Sequence, residues 1–230
     1  DNNRRVAAFG YWAGYAGCAV ALKAWVAKQQ QGTLAPLTSY ASNDKLLGEL
    51  GALLDSVATK PRLIVIGAKG RSGQGAIKLA DQLSLEYTAW DVEETAVGGP
   101  FPEILEHDIF INCVFVQQTI PPFITTEMLA NADKKLSVIC DVSCDPYGDY
   151  NPVPIYNECT TFDKPVLQLG EGEAAVDLVA IDHLPSLLPR ESSEDYCEQL
   201  FDTLAALDHI ESGAWQRAEQ VFIELTKPLR

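Results

Sequence analysis

At 230 residues the chain has room for one large domain or one and a half. Hydrophobic residues make up 47%, ample for a packed core, which excludes a disordered chain. Seventeen basic against 32 acidic residues give a net charge of −15, so nucleic acid and anionic membrane are excluded as partners, although a small anion can still bind where backbone N–H groups and a helix dipole converge.

Residues 6–22 (VAAFGYWAGYAGCAVAL) carry no charge. The run is at the short end for a bilayer span, and Gly10, Gly14 and Gly17 dilute it. Arg4-Arg5 in front imitates the basic start of a signal sequence, but Asp1-Asn2-Asn3 and the absence of an initial methionine argue against one. The run is therefore expected to be a buried helix continuing through residue 28, with small residues at 10, 13, 14 and 17 that admit a neighbouring backbone. Residues 32–42 read as a loop. Asn43 reads as the N-cap of an amphipathic helix carrying Leu46, Leu47, Leu50, Leu53, Leu54 and Val57 and ending near Thr59.

Alternation follows. Residues 62–67, 86–91, 108–114 and 136–141 read as strands, and 165–169 and 177–181 as a fifth and sixth. Residues 72–82 form a helix between the first two, with shorter helical pieces at 101–106 and 125–132. Strands alternating with helices imply an α/β fold, a Rossmann-like doubly wound parallel sheet. The tail is helical: Ser192 or Ser193 caps one run, Gly213 breaks it, and residues 214–225 form a last helix. The expected organisation is residues 1–31 as an inter-domain helix, 32–190 as the sheet domain, and 191–230 as C-terminal helices.

The six cysteines (Cys18, Cys113, Cys140, Cys144, Cys159 and Cys197) form no C-x-x-C pair, and the histidines are three: His107, His183 and His209. Ligand spacing for zinc is missing, so no metal is expected, and the thiols read as buried or half-buried groups of a reducing, cytoplasmic compartment.

The chemistry-bearing stretch is GAKGRSGQG at residues 67–75, between a strand and a helix. That context suits a dinucleotide loop, although the spacing is not a regular G-x-G-x-x-G. Gly70 and Gly73 take the last two glycine positions, Ala68 the first, and Gly67 falls one residue early. Gly70 admits a pyrophosphate against the backbone, and Gly73 or Gly75 packs helix on strand. The N–H groups of Arg71, Ser72 and Gly73 face the phosphates, with Arg71 adding a charge-assisted contact. No Gly-Lys-Ser/Thr follows, which excludes a Walker A loop.

Asp91 ends the second strand, eighteen residues after Gly73, where an acid accepts hydrogen bonds from a ribose and repels a 2′-phosphate, favouring NAD over NADP. Ligands of such sheets sit outside the carboxyl ends of the strands, which nominates Asn112-Cys113-Val114, Asp141-Val142-Ser143 and Ile181-Asp182-His183. The Asp182-His183 pair precedes a turn stiffened by Pro185 and Pro189, with the alternative that His183 serves a structural hydrogen bond. No Ser/His/Asp or Cys/His triad signature is present, and the pairs Glu93-Glu94 and Glu171/Glu173 read as solvated surface.

With these residues assembled, the chain resembles the fungal-type, lysine-forming, NAD-dependent saccharopine dehydrogenases. The stretches are RRVAAFGYWAGYAG (4–17), VIGAKGRSGQGAI (65–77), WDVEETAVGGPF (90–101), DIFINCVF (108–115), DVSCD (141–145), NPVPIY (151–156) and IDHLPSLLPRESSE (181–194). Alanine dehydrogenase and the NAD-binding domain of proton-pumping transhydrogenase belong to the same superfamily. The resemblance implies a two-domain enzyme that oxidises the secondary amine of saccharopine by hydride transfer to NAD, giving lysine and 2-oxoglutarate. Carried over by position, Gly67, Ala68, Gly70, Arg71, Ser72, Gly73, Asp91, Thr95, Cys113, Val114, Asp141, Val142, Ile181, Asp182 and His183 surround NAD. Arg5 and Phe9 face the substrate, whose carboxylates suit a guanidinium. Ser72 stands where the family can have a cysteine, so a thiol pair with Cys113 is unavailable. The family's acid/base lysine and histidine lie upstream of the match. The chain is therefore expected to be a portion without its own catalytic residues, inactive alone, whose final helices would pack on a missing N-terminal domain. The other readings are an alanine-dehydrogenase-like amino acid oxidoreductase and a non-catalytic NAD-binding module.

Overall fold

In a computed structural model the described residues are 5–116 and 118–229. Arg4 of the basic pair lies outside them, as do residues 1–3. Helix α1 (Gly10–Gln29) is buried from Gly14 through Leu22 and again at Ala24–Val26, as a helix without a polar stripe must be. It starts later than the charge-free run, because lack of charge reports burial and not helicity. Residues 5–9 stay non-helical and lie along the helix Pro189–Ala205. The side chain of Gln199 satisfies that backbone, accepting from Ala8 N–H at 3.1 Å and donating to the Ala8 carbonyl at 3.3 Å.

Helix α2 (Asn43–Asp55) is capped by Ser42 and not by Asn43. The reason is distant in sequence: the amide of Asn43 donates to Glu191 Oε1 at 2.7 Å. The helix closes at Asp55, short of Thr59, where Ser56 Oγ donates to the Leu53 carbonyl at 2.6 Å. Leu46, Leu50 and Leu54, at helical spacing, enter the core.

Six strands form one sheet: β1 (Leu63–Ile66), β2 (Tyr87–Trp90), β3 (Ile109–Asn112), β4 (Val138–Asp141), β5 (Leu167–Leu169) and β6 (Val176–Val179). The order is β2-β1-β3-β4-β6-β5. Neighbours among the first five of that order are parallel, whereas β5 runs antiparallel to β6, a departure from the all-parallel expectation. Residues 170–175 are too few for the crossover of a dozen or more residues that parallel neighbours require, and Gly170 and Gly172 turn the chain back at φ 87° and 67°.

The central strands β1, β3 and β4 are buried at every position. One face packs Leu63, Val65, Ile109, Ile111, Val138 and Cys140 against α1, α2 and α3 (Arg71–Gln82). The other packs Ile64, Ile66, Phe110 and Ile139 against Phe101, Ile104, Phe123 and Val153. That second face is covered by loops, a 3₁₀ turn at Pro102–Glu106 close to the expected piece at 101–106, and the single turn α5 (Thr126–Leu129), shorter than the expected 125–132; a further turn, α4 (Val92–Thr95), follows β2. Both faces are thus covered, as a doubly wound α/β sheet requires.

Helices α1 and α3 cross at contact distance. A Cβ on Gly14 would overlap the carbonyl oxygen of Ser72, and one on Gly75 would overlap that of Tyr11. Gly75 therefore packs helix on helix and not helix on strand. Two helices close the chain, α6 (Pro189–Ala205) and α7 (Gly213–Thr226). Pro189 opens α6, a position that needs no N–H, so Ser192 and Ser193 are not its caps. Ser192 is buried instead and donates to the Pro185 carbonyl at 2.9 Å.

Candidate functional site

The chain leaves β1 for β2 on one side and returns to β3 on the other, so the strand order reverses between β1 and β3. Their ends, Ile66 and Asn112, lie in register. That reversal point opens a crevice outside the carboxyl ends of the strands. The loop after β1 is drawn tightly into it. Gly67 has φ 89°, and a Cβ there would sit 2.9 Å from the carbonyl carbon of Cys113 and 3.0 Å from Val114 Cγ2. A Cβ on Gly73 would overlap the carbonyl oxygen of Gly67. Gly67 thus meets the β3 loop and Gly73 seats the helix on its own loop.

Backbone bonds fix the loop. Gly67 and Ala68 both donate to the Trp90 carbonyl at 2.9 Å, and Gly70 donates to Gly67 at 3.1 Å. The Asp91 carboxylate accepts from Lys69 N–H at 2.7 Å and from Val92 N–H at 2.9 Å. Asp91 also caps α4 in a capping box: Glu94 accepts from the Asp91 amide at 2.7 Å. Thr95 Oγ1 donates to the Asp91 carbonyl at 2.8 Å. Asp91 and Thr95 are half-exposed beside the loop. Gly70, the N-cap of α3, has no side chain to satisfy the first amides of that helix. Its N-terminus, at Arg71-Ser72-Gly73, therefore presents N–H groups and the positive end of the dipole.

The ends of β3 and β4 are joined through a buried carboxylate. Asp141 is fully buried and accepts from Asn112 Nδ2 at 2.9 Å, Tyr156 Oη at 2.7 Å, Ser143 N–H at 3.1 Å and Cys144 N–H at 3.4 Å. Burial pushes its carboxyl above the ordinary range, while the four donors pull it down. Asn112 Oδ1 accepts from Val114 N–H at 3.2 Å, and Ser143 Oγ donates to the Val114 carbonyl at 2.5 Å. The side chain of Asp141, expected beside NAD, is buried beneath the crevice loops and braces them. Ile181 is likewise turned into the core against α1. Cys113 is half-buried between the loops, and burial raises its thiol well above the ordinary value.

Beside the crevice lies a cleft of about 1190 Å³. Of the residues nominated from sequence, Arg5, Phe9, Arg71, Ser72, Val142, Ser143, Asp182 and His183 line it. Arg71 Nη2 donates to the Arg5 carbonyl at 3.1 Å, linking the glycine loop to residues 5–9. The Phe9 ring stacks on Tyr196 of α6 at 4.5 Å. His183 Nδ1 pairs with Asp182 Oδ1 at 2.7 Å, and its ring lies 4.9 Å from Phe162. The ionisable lining side chains are Arg5, Arg71, Asp182, His183 and Tyr196, an excess of cations in an acidic protein that suits an anionic ligand. Gly67, Ala68, Gly70, Gly73, Asp91, Thr95, Cys113 and Val114 lie outside this lining, along the adjoining loops. Sequence reasoning missed Tyr156, Tyr196 and Gln199. A buried acid at a strand end needs donors, and that need was the available pointer to Tyr156 in NPVPIY.

Among the described residues no helix is long and apolar enough to cross a membrane. Nor, among them, do three or more His, Cys, Asp or Glu side chains gather as metal ligands.

Comparison with known proteins gives two findings. The family described as alanine dehydrogenase/PNT, C-terminal domain, matches residues 102–226. Relatives named saccharopine dehydrogenase [NAD(+), L-lysine-forming] match nearly the whole chain. That of Candida glabrata is 42% identical over 96% of this chain and 63% of its own length. That of Emericella nidulans is 43% identical over 96% and 64%. That of Schizosaccharomyces pombe is 42% identical over 100% and 66%. The chain thus spans a little under two thirds of the length of these relatives.

Proposed function

This chain belongs to the alanine dehydrogenase/PNT C-terminal domain family, and from that premise we propose that it is the NAD-binding portion of a lysine-forming saccharopine dehydrogenase. The observation that carries the reading is the glycine loop, closed against the β3 end at Gly67 and latched by Asp91. The loop fits a dinucleotide, because Gly70 caps α3 without a side chain and leaves the first N–H groups of that helix open to a phosphate. Similarity to the saccharopine dehydrogenases supports the choice of cofactor and substrate.

In this reading bound NAD would supply the hydride acceptor for the C–H beside the secondary amine of saccharopine. The chain's own residues bind and orient. The N–H groups of Arg71, Ser72 and Gly73 hold the pyrophosphate, and Asp91 meets the ribose. Val142, Asp182 and His183 border the cofactor on the far side. Arg5 and Arg71 receive the substrate carboxylates, and Phe9 walls that end of the cleft. The acid and base that move protons are assigned to the third of the relatives' length that this chain does not span. A domain from that portion is accordingly the partner. The same reading takes the location as cytoplasmic, supported by the substrate class and the free thiols, and the net charge argues against nucleic acid.

The test is NAD titration of the chain together with assay of the full-length protein for NADH formation. Saccharopine is expected to support turnover and alanine is not; the reverse would establish the alanine-dehydrogenase-like reading, which the family match keeps in view. Arg5→Ala in the full-length protein is expected to raise the KM for saccharopine and leave NAD affinity unchanged. If no amino acid substrate is turned over while NAD still binds, the protein is a non-catalytic binding module.

A further inference from the structure

All six cysteines are free, and two of them meet: Cys144 Sγ lies 3.4 Å from Cys159 Sγ, both half-buried. Cys18 and Cys140 are buried, and Cys197 lies exposed on α6. We propose that Cys144 and Cys159 are a redox modification site, oxidised to an intramolecular disulfide by a peroxide or a small-molecule disulfide. A disulfide needs its sulfurs about 2 Å apart, so the pair has a little over an ångström to close.

Position gives the pair a consequence. The segment between them, residues 145–158, hangs on Asp141 at both ends: through Cys144 N–H at one and Tyr156 Oη at the other. It exposes Tyr147 and Tyr150. Cys144 has φ 47°, a conformation uncommon for a residue with a side chain. The bond would add a covalent clasp to one that is now only hydrogen-bonded, at the base of the loops that border the crevice.

The chemistry balances. Hydrogen peroxide takes one thiol to a sulfenic acid, releasing water. The second thiol displaces the sulfenic oxygen as a second water, and the S–S bond forms. The thiols lose two electrons and two hydrogens, and the peroxide gains both. With a small disulfide in place of peroxide, one thiolate displaces its leaving thiol, and the second protein thiol then displaces the other half.

The site stands independently of the dinucleotide reading, because its test uses no ligand. The purified chain is exposed to hydrogen peroxide or oxidised glutathione and then nicked with chymotrypsin after Tyr147 or Tyr150. The two fragments are expected to stay joined without reductant and to separate with it. Cys144→Ser and Cys159→Ser should each abolish the linkage, and Cys197→Ser should leave it intact. Alkylation of the denatured, unreduced chain is a second measure, independent of nicking. It should find two thiols lost relative to the reduced chain, at Cys144 and Cys159. Thiol loss elsewhere, sulfinic acid at either position, or linkage surviving in Cys159→Ser would overturn the proposal.

Discussion

The phenol of Tyr156 donates to the carboxylate of Asp141 at 2.7 Å, in a site closed to solvent. The contact joins a loop residue to the end of β4, directly beneath the crevice.

Burial holds the Asp141 carboxyl above the ordinary carboxylate range, so the folded chain binds its proton more tightly than the unfolded one. That contribution to stability is complete in acid and is lost as pH rises through the raised folded value. Tyr156→Phe removes a donor that the ionised form needs. The variant is therefore expected to match the parent near pH ~4, the unperturbed carboxylate value. Once the pH has risen past the raised folded value it should be less stable by about 1–3 kcal/mol, the cost of a buried acceptor left short of a partner. Urea unfolding of both proteins at the two pH values checks this. An equal cost at both would place the loss in packing and not in charge.

The α1–α3 crossing makes a second prediction. Gly14→Ala puts a methyl into the Ser72 backbone, and no side-chain rotation relieves it. The helices must separate, at a cost of about 3 kcal/mol. Gly48→Ala, on the exposed side of α2 with nothing within 4 Å of its Cβ, should stabilise by up to about 1 kcal/mol from helix propensity. Thermal unfolding of the two variants should move in opposite directions. NAD titration of Gly14→Ala should also show weakened binding, since Ser72 lies in the first turn of the helix that faces the crevice.

What the sequence revealed followed the range of the forces involved. The glycine loop and the buried strands β1, β3 and β4 are local patterns, legible as apolar runs beside turn residues. The antiparallel sense of β5 ran against the expected all-parallel sheet, although residues 170–175, too few for a crossover, carried that signal. The apolar content of 165–169 and 177–181 fixed strands but not their sense. The inward turn of Asp141 was not legible, because a strand-end acid faces solvent or core according to donors supplied by distant residues, here Asn112 and Tyr156. The same holds for the Ser42 cap, decided by Glu191, and for residues 5–9, whose backbone bonds to Gln199. Gly73 and Gly75 could not be told apart as the helix–strand contact, because α1, which Gly75 meets, is not adjacent in sequence.

Asp91 has two roles that substitution can separate. Its carboxylate holds Lys69 N–H and starts α4, and in the proposed function it also meets a ribose. Asp91→Asn keeps the size but removes the charge that assists both contacts. The dissociation constant for NAD is expected to rise about tenfold, which corresponds to ~1.4 kcal/mol. Binding of NADP should weaken less or improve, because a 2′-phosphate no longer meets a carboxylate. Fluorescence titration with both dinucleotides checks this. Equal weakening for the two would leave Asp91 as a loop brace without a part in cofactor choice.

The C-terminal helices present apolar side chains to solvent. Phe201 and Leu204 on α6, and Val221, Phe222 and Leu225 on α7, are exposed, Leu225 at 73%. Exposed apolar surface of this kind drives association. The isolated chain is therefore expected to self-associate as its concentration rises, despite a net charge of −15. Phe222→Lys with Leu225→Lys should shift it toward monomer in sedimentation velocity and leave the thermal midpoint within about 2 °C, because exposed side chains carry little folding energy. If the double variant associates as strongly as the parent, the contact lies elsewhere. If it unfolds at a markedly lower temperature, α7 packs on the body of the protein more closely than its exposure indicates.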